Sequence, residues 1–427
     1  MSKMNILCNA EVVAELIVKD DEFNLIYTDA WSKKGFAFSP SLPLNTKLEP
    51  QAVKNFILNL LPEGEGLEAL SLHFQISKAN PFGLLNAIGK ETSGALSFGT
   101  VDKIETSFRE ISRAELTQRI QKRRAIPITI WDGKPRLSLA GVQEKLPVTI
   151  IDGKFGFGEG DVSSTHILKF DKGEENLVLN EYISLKLAQK AGLHVNEAKI
   201  DFFGEEPVLV VERFDRKLLE DGTIQRLHLI DSCQLLSFPP QFKYERIYGS
   251  GRDVKDFRYG VSFKKLVKIE NMLDTPLLYR QSLLDWSILN LCLGNSDAHG
   301  KNISFFVKKS SLQLAPFYDL LNISLYDTYE HSLAMGIGDE FEIESIKAFD
   351  IALHTHHLNI KPKRFRDNFN RISNAILKEA DAIGRGSEIQ AINQNFCDHY
   401  MQNITTRIKN LKECIQEAQG INVVDYI

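Results

Sequence analysis

The sequence predicts an α+β fold in two lobes, β-rich over its first half and mainly α-helical over its second. Three observations carry this expectation. Short β-type runs at 5–7, 12–18, 23–27 and 36–38, and again at 164–170, 198–203 and 207–211, alternate with polar turns. Beyond Asp231 the apolar spacing turns helical, over 230–236, 262–269, 275–293, 363–380 and 389–419. Between the apolar helix end at 282–293 and the β-type run 303–307 lies a small, mostly polar loop, Gly294 to Asn302. The expected division is 1–124, a first module; 125–218, a β-rich lobe; and 219–427, the mainly helical lobe.

The first module reads as a small antiparallel sheet followed by helices. A helical pattern over 49–61 carries Pro50 in its first turn, where the missing N–H costs nothing, and stops at Pro62-Glu63-Gly64. Helices continue over 67–77 and 81–88, and 94–98 returns to strand. No chemical constellation precedes residue 125, which points to packing or partner binding.

Composition narrows the function classes. A chain of 427 residues, 43% of them hydrophobic, can bury two or three cores. A net charge of −5 argues against binding nucleic acid through global charge. The basic run Arg119, Lys122, Arg123 and Arg124 reads as a solvated helix end. Five cysteines form an odd, scattered set without a C-x-x-C pair, which fits a reducing cytoplasm and offers no zinc signature. The first residues lack a signal peptide's apolar core and no run reaches membrane-spanning length, so a cytoplasmic chain with no membrane partner is expected.

Chemistry begins after residue 125. Ala140, Gly141, Val142 and Gln143 form a short turn between two β-type runs, a topology that lets backbone N–H groups converge on a phosphate. An ordinary hairpin would look the same. Lys169 ends an apolar strand, and a buried ammonium asks for an anion. Phosphate would serve, and so would Glu181 in the helix 180–191; a strand-end lysine reaching water is the plainer reading. The strand 207–211 runs into the polar linker Glu212-Arg213-Phe214-Asp215-Arg216, and 243–259 is a glycine- and charge-rich loop expected to be mobile.

Asp297 and Asn302 have four residues between them, the spacing of a phosphoryl-transfer loop in which the Asp takes a hydroxyl proton and the Asn holds magnesium. A polar turn at 308–311 then joins 303–307 to 312–319 as a hairpin, which would bring Asp319 to the same end as Asn302. Two hard oxygen ligands facing one cavity suit a magnesium nucleotide. A buried helix, a solvated turn and a plain hairpin, with Asp319 as a cap, would also use these residues.

Five separated segments together resemble the HipA family of bacterial toxin serine/threonine kinases: Ser138-Leu-Ala-Gly-Val-Gln-Glu-Lys145, Ser164-Thr-His-Ile-Leu-Lys169, Val211-Glu-Arg-Phe-Asp-Arg216, Gly294-Asn-Ser-Asp297-Ala-His299-Gly-Lys301-Asn302 and Pro316-Phe-Tyr-Asp319. Asn80-Pro-Phe-Gly-Leu-Leu and Gly94-Ala-Leu extend the likeness to the first module, so it covers nearly the whole chain. The resemblance implies a two-lobed kinase-like fold that uses ATP and Mg2+. It further implies Ser138 as an autophosphorylated serine in a phosphate-binding loop built from Ala140, Gly141, Val142 and Gln143. Lys169 would meet the nucleotide phosphates, Glu212 and Phe214 would hold adenine at the hinge, and His299 and Lys301 would join the nucleotide-contacting set. Asp297 would be the catalytic base, with Asn302 and Asp319 as metal ligands. The implied partners are a protein substrate, such as an aminoacyl-tRNA synthetase, and a helix-turn-helix antitoxin of HipB type that reaches DNA on the kinase's behalf. Two other classes stay open: a non-catalytic nucleotide-binding scaffold in an antitoxin–DNA complex, and a small-molecule or lipid kinase sharing the D-x-H-x-x-N loop.

Overall fold

Two-residue turns set the register of the β-rich part of the chain. Asn9 and Ala10, Asp20 and Asp21, and Asp152 and Gly153 take positive φ at both positions. Each pair joins strands whose flanking residues face one another: Cys8 with Glu11, Lys19 with Glu22, Ile151 with Lys154. This φ signature matches the right-handed twist of the strands, and Asn, Asp and Gly enter it at least cost. The computed structural model describes residues 1–89, 91–99, 106–136, 144–160, 162–173, 175–384 and 388–426. It divides into two compact units, one of Met1–Glu174, Asn196–Pro240 and Phe305–Ala315, the other of Glu175–Val195, Gln241–Ser304 and Pro316–Ile427.

The first unit opens with a four-stranded antiparallel sheet of Ser2–Cys8, Glu11–Lys19, Glu22–Tyr27 and Leu96–Gly99, the first strand lying between the second and the fourth. Period-two burial of Met4, Ile6 and Cys8 marks the core face, as alternation requires. The run 36–38 is not a strand. Asp29–Lys34 forms a short helix capped by the Thr28 side chain, and Gly35 ends it where a Cβ would lie 2.3 Å from the Trp31 ring. Phe38 is then spent on packing against Phe56 and His228 rather than on a ladder. The helices Pro50–Leu58, Gly64–Phe74 and Pro81–Ile88 follow.

A second, six-stranded antiparallel sheet runs in the order Ala198–Phe203, Glu206–Glu212, His166–Lys169, Lys145–Ile151, Lys154–Glu159, Ser107–Ile111. The helix Arg113–Gln121 covers it through Leu116 and Ile120, above a core that includes Trp131, Phe157 and Val210. The basic run at the end of this helix is not simply solvated. Arg123 is buried and pairs with Glu144 and Glu206, and Arg119 lies over the Trp131 ring while donating to the carbonyls of Pro127 and Ile130. The expected helix at 230–236 is a strand, Leu229–Asp231, followed by a short helix, Ser232–Leu235, under an Asp231–Gln234 capping box. The hairpin expected around 308–311 is present, with Val307 facing Leu312.

The linker Glu212 to Arg216 alternates sharply between outside and inside. Glu212 is exposed and Phe214 half-buried, whereas Arg213, Asp215 and Arg216 are buried. Arg213 grips both oxygens of Asp215 at 3.0 and 2.9 Å, and Arg216 adds a bond at 2.7 Å. The residues 91–96 are threaded through this cluster. Gly94 N–H donates to Asp215 at 2.8 Å, Glu91 accepts from Ser164, and the Thr92 carbonyl accepts from Arg216 and Arg226. Burial opposes ionisation here, yet Arg213 and Arg216 hold the Asp215 carboxyl far below the usual carboxylate range. Glu91 is also held down, by Arg213, Arg216 and Arg226 against its own burial.

The second unit is built on the helix Pro276–Leu293, in which every residue from Leu283 to Leu293 is buried. A helix buried all round must satisfy its polar residues internally. Asp285 accepts from Arg371 and Gln281, Ser287 donates to the Leu284 carbonyl and Asn290 to that of Trp286. Pro362–Gly384 and Gln394–Glu417 pack on this helix. The helix expected over 389–419 is broken. Glu388–Ile392 ends, and Asn393 starts a new helix by accepting from Phe396 N–H.

Asp215 generates the first prediction. Asp215→Asn keeps the shape but leaves two buried guanidinium groups without their main anion, and should cost about 3–5 kcal/mol of unfolding free energy. Because the native carboxyl is depressed, its contribution is complete above the unfolded range near pH ~4 and is lost as pH falls below it. Denaturant unfolding across pH 3 to 7 should therefore show a shallower acid-side loss in the variant; equal stability and equal slopes would contradict the cluster's role.

Candidate active site

Gly294 ends the buried helix in the left-handed region, with φ 76, and its N–H reaches the Asn290 carbonyl at 2.9 Å. A Cβ there would lie 2.6 Å from the Arg407 guanidinium carbon and 2.8 Å from Ser324 Oγ, so glycine is required twice over. Arg407 is buried and donates to Asn403 Oδ1 at 2.7 Å, to Ser324 Oγ at 2.6 Å and to the Leu293 carbonyl at 3.4 Å. A cation thus meets the negative end of the helix.

The loop that follows is fastened residue by residue. Asn295 Nδ2 donates to Asn290 Oδ1, and Ser296 Oγ donates to the Glu330 carbonyl at 2.8 Å. The Ser296 carbonyl accepts from Ala334 N–H, and the Asp297 carbonyl accepts from both His299 N–H and Asn302 Nδ2. Gly300–Asn302 is a 3-10 turn. Tyr318 donates to the Lys301 carbonyl at 2.5 Å and shares a hydrogen bond with Ser304 Oγ at 2.7 Å. The chain at Asp319 is therefore beside the chain at Asn302, as the hairpin reading requires. Asp319 itself is half-buried in the left-handed region, φ 57.

From Leu283 to Phe305 a single side chain escapes full burial, that of Asp297. Its Oδ1 accepts a hydrogen bond from Tyr244 Oη at 2.9 Å. His299 is buried with its ring edge-on to Tyr244, centroids 5.4 Å apart. Asn302 spends its amide N–H on the Asp297 carbonyl, which turns its amide oxygen toward the other side as an acceptor. With the Asp319 carboxylate this gives two hard oxygen donors. Among the described residues no group of three His, Cys, Asp or Glu could hold a metal. A two-oxygen set instead fits magnesium, which keeps waters and takes its other ligands from phosphates.

In the first unit, Lys169 closes the strand His166–Lys169 and is buried, opposite Leu209 on one side and Lys145 on the other. Lys145 and Lys169 are thus register partners at one end of the sheet. Glu212 faces His166 at the other end of the same strand pair, and Phe214 meets the Phe306 ring edge at 5.9 Å. Ser138, Ala140, Gly141, Val142 and Gln143 lie outside the described residues.

Residues 4–99 match the HipA N-terminal domain and residues 137–380 the HipA-like C-terminal domain. The chain belongs to the HipA family. The serine/threonine-protein kinase toxin HipA of Shewanella oneidensis is 39% identical over 407 residues, 94% of each chain. Y4mE of Sinorhizobium fredii is 28% identical over 425 residues, 95% of this chain and 97% of that one. The S. oneidensis HipA structure, solved with HipB and operator DNA, matches with a TM-score of 0.89 at 37% identity, covering 98% of this chain and 100% of the other. The HipA fold and the protein-kinase class follow, and the α+β expectation holds.

Three residues of this HipA chain's site escape sequence reading. Tyr244 opens a loop expected to be mobile, and nothing in its neighbours signals a bond to a residue 53 positions on. Tyr318 and Arg407 act on backbone carbonyls, and such contacts leave no spacing pattern. Gly294 makes the local prediction. Gly294→Ala forces the left-handed backbone and a clash with Arg407, and should lower the melting temperature by several degrees, about 1–3 kcal/mol. Calorimetric scanning checks it; an unchanged midpoint would mean that Arg407 yields freely.

Proposed function

We propose that this chain transfers the γ-phosphoryl group of ATP, with magnesium, to a serine or threonine hydroxyl of a protein, as the toxin of a HipA/HipB-like type II pair. One observation carries the reading: along a buried loop held by backbone and side-chain hydrogen bonds, the carboxylate of Asp297 alone is left within reach of a substrate. Asp297 accepts the proton of the acceptor hydroxyl as its oxygen bonds phosphorus. The bond from phosphorus to the bridging oxygen breaks, and ADP leaves with the electron pair. Magnesium, held by Asn302 and Asp319, would offset the charge that develops. Lys169 meets nucleotide phosphates, Glu212 and Phe214 meet adenine, and His299 and Lys301 support the nucleotide-contacting set. The division into 1–124 as an N-terminal module, 125–218 as the lobe with phosphate loop and hinge, and 219–427 as the catalytic-loop lobe belongs to the same reading.

The acceptor class implied by the family resemblance is a translation component such as an aminoacyl-tRNA synthetase, in the bacterial cytoplasm. A helix-turn-helix antitoxin of HipB type is the proposed partner, supported by the HipB-bound state of the S. oneidensis homologue. DNA would be reached only through that antitoxin, in keeping with a net charge of −5. Ser138 is proposed as the autophosphorylation site. Its phosphate would add about −1.5 to −2 charges beside the nucleotide phosphates and lower ATP affinity.

Asp297→Asn should abolish phosphoryl transfer while the fold survives, and with it any Ser138 phosphate seen by mass spectrometry after incubation with magnesium and ATP. Transfer within a few-fold of wild type would remove Asp297 from this role, and unmodified Ser138 in active protein would remove the self-inhibition. Calorimetric titration with ATP should show weakened binding in Lys169→Ala and loss of magnesium dependence in Asp319→Ala. Wild-type affinities in both would count against the nucleotide assignments.

A further inference from the structure

Tyr244 lies outside every motif that marks the family resemblance, yet it holds the carboxylate on which the proposed chemistry turns. The phenol donates to Asp297 Oδ1 at 2.9 Å, and among the described residues no hydrogen bond reaches Oδ2. Two functions are chemically possible for such a contact. A phenol that must swing away would be a gate, imitating the acceptor hydroxyl. A phenol that stays would fix the carboxylate plane and leave Oδ2 for the acceptor.

The surroundings of Tyr244 decide between them. Its segment is pinned on both sides: Val261 N–H reaches the Phe242 carbonyl at 2.8 Å and Gly260 N–H the Glu245 carbonyl at 3.1 Å. A Cβ on Gly260 would lie 1.8 Å from the Tyr244 carbonyl oxygen, an approach that only glycine permits. Glu245 is buried, and its carboxylate takes bonds from Arg258 and from Gly336 N–H at 2.9 Å. Ala334 then ties the two partners together. Its carbonyl accepts from Glu245 N–H and its N–H donates to the Ser296 carbonyl, each at 2.8 Å. Tyr244 and Asp297 are thus each one residue from the same bridging Ala334. The Tyr244 ring also rests edge-on against buried His299, and the Lys243 ammonium lies 5.2 Å from its centroid. The backbone that carries the ring is thus fixed, and the ring itself, 37% exposed, is held at its hydroxyl by Asp297 and at its edge by His299.

We infer that Tyr244 is a positioning residue of the kinase: it orients Asp297 by occupying Oδ1, so that Oδ2 meets the acceptor hydroxyl. This rests on the reading of Asp297 as the base.

Tyr244→Phe removes the hydroxyl and keeps the ring on His299. It should lower kcat for a protein acceptor by roughly tenfold, the low end for a hydrogen bond to a charged group. KM for ATP and the melting temperature should stay at their wild-type values, so that the loss falls on kcat alone. Tyr244→Ala should lose at least as much kcat. A wild-type kcat in Tyr244→Phe overturns the inference, and a faster Tyr244→Phe enzyme overturns it in favour of a gate. Loss in Tyr244→Ala alone would assign the effect to ring packing and overturn it as well. Asp297→Asn separates the levels: if that variant is inactive and Tyr244→Phe is normal, only the positioning role fails. If Asp297→Asn is active, the base assignment itself fails.

Discussion

A polar loop can be buried only when its donors and acceptors find partners inside the protein, and residues 294–304 meet that condition at nearly every step. An unmet buried donor or acceptor costs about 1–3 kcal/mol, so a loop of this length would be ruinous if left half satisfied. Asn290, Glu330, Ala334, Arg407 and Tyr318 supply the missing partners from four separate parts of the second unit. From Leu283 onward the helix that leads into the loop is buried on every side, which makes it a base that cannot rotate. The outcome is a rigid loop from which one carboxylate emerges.

The same accounting explains the linker from Glu212 to Arg216. Its five residues serve two purposes divided by side-chain direction. Arg213, Asp215 and Arg216 turn inward and clamp the chain at residues 91–96, while Glu212 and Phe214 turn outward. Three arginines against Asp215 and Glu91 leave an excess of positive charge, which the carbonyls of Thr92, Gly94 and Leu96 absorb as acceptors. Breaking such a cluster is far costlier than its net worth, because what remains is an uncompensated buried charge. A motif recognised as functional is therefore more than half structural.

That division sets what could be read from the sequence. The strands on either side of the polar turns at 9–10 and 20–21, the proline-initiated helices and the apolar helix before Gly294 were legible, because local chemistry fixes each of them, whereas the strand Lys154–Glu159 after Asp152-Gly153 was not read. The spacing of Asp297 and Asn302 pointed to one loop, and the hairpin at Val307 and Leu312 led correctly toward Asp319. Phe36 and Phe38 misled because aromatic residues serve a core as readily as a strand. Arg119 and Arg123 misled because their partners, Trp131, Glu144 and Glu206, lie up to 83 positions away. The break at Asn393 was visible only as a capping residue inside an otherwise continuous helical pattern.

Burial also sorts the titratable groups by purpose. His228 and His354 are buried, and desolvation pushes them down to about 4 and about 3, so both are neutral at physiological pH. Each sits on a structural partner, the Phe38 carbonyl and Ser287 Oγ respectively. Cys292, raised to about 12 by burial, is equally inert as a nucleophile. None of these groups can exchange a proton near neutrality. Asp297 differs in its surroundings: it is part-exposed, bonded to the Tyr244 phenol and, among the described residues, committed through one carboxylate oxygen. The proposed base, which would both orient a hydroxyl and receive its proton, needs that incomplete satisfaction, and the backbone around it is bonded closely enough to hold it in place.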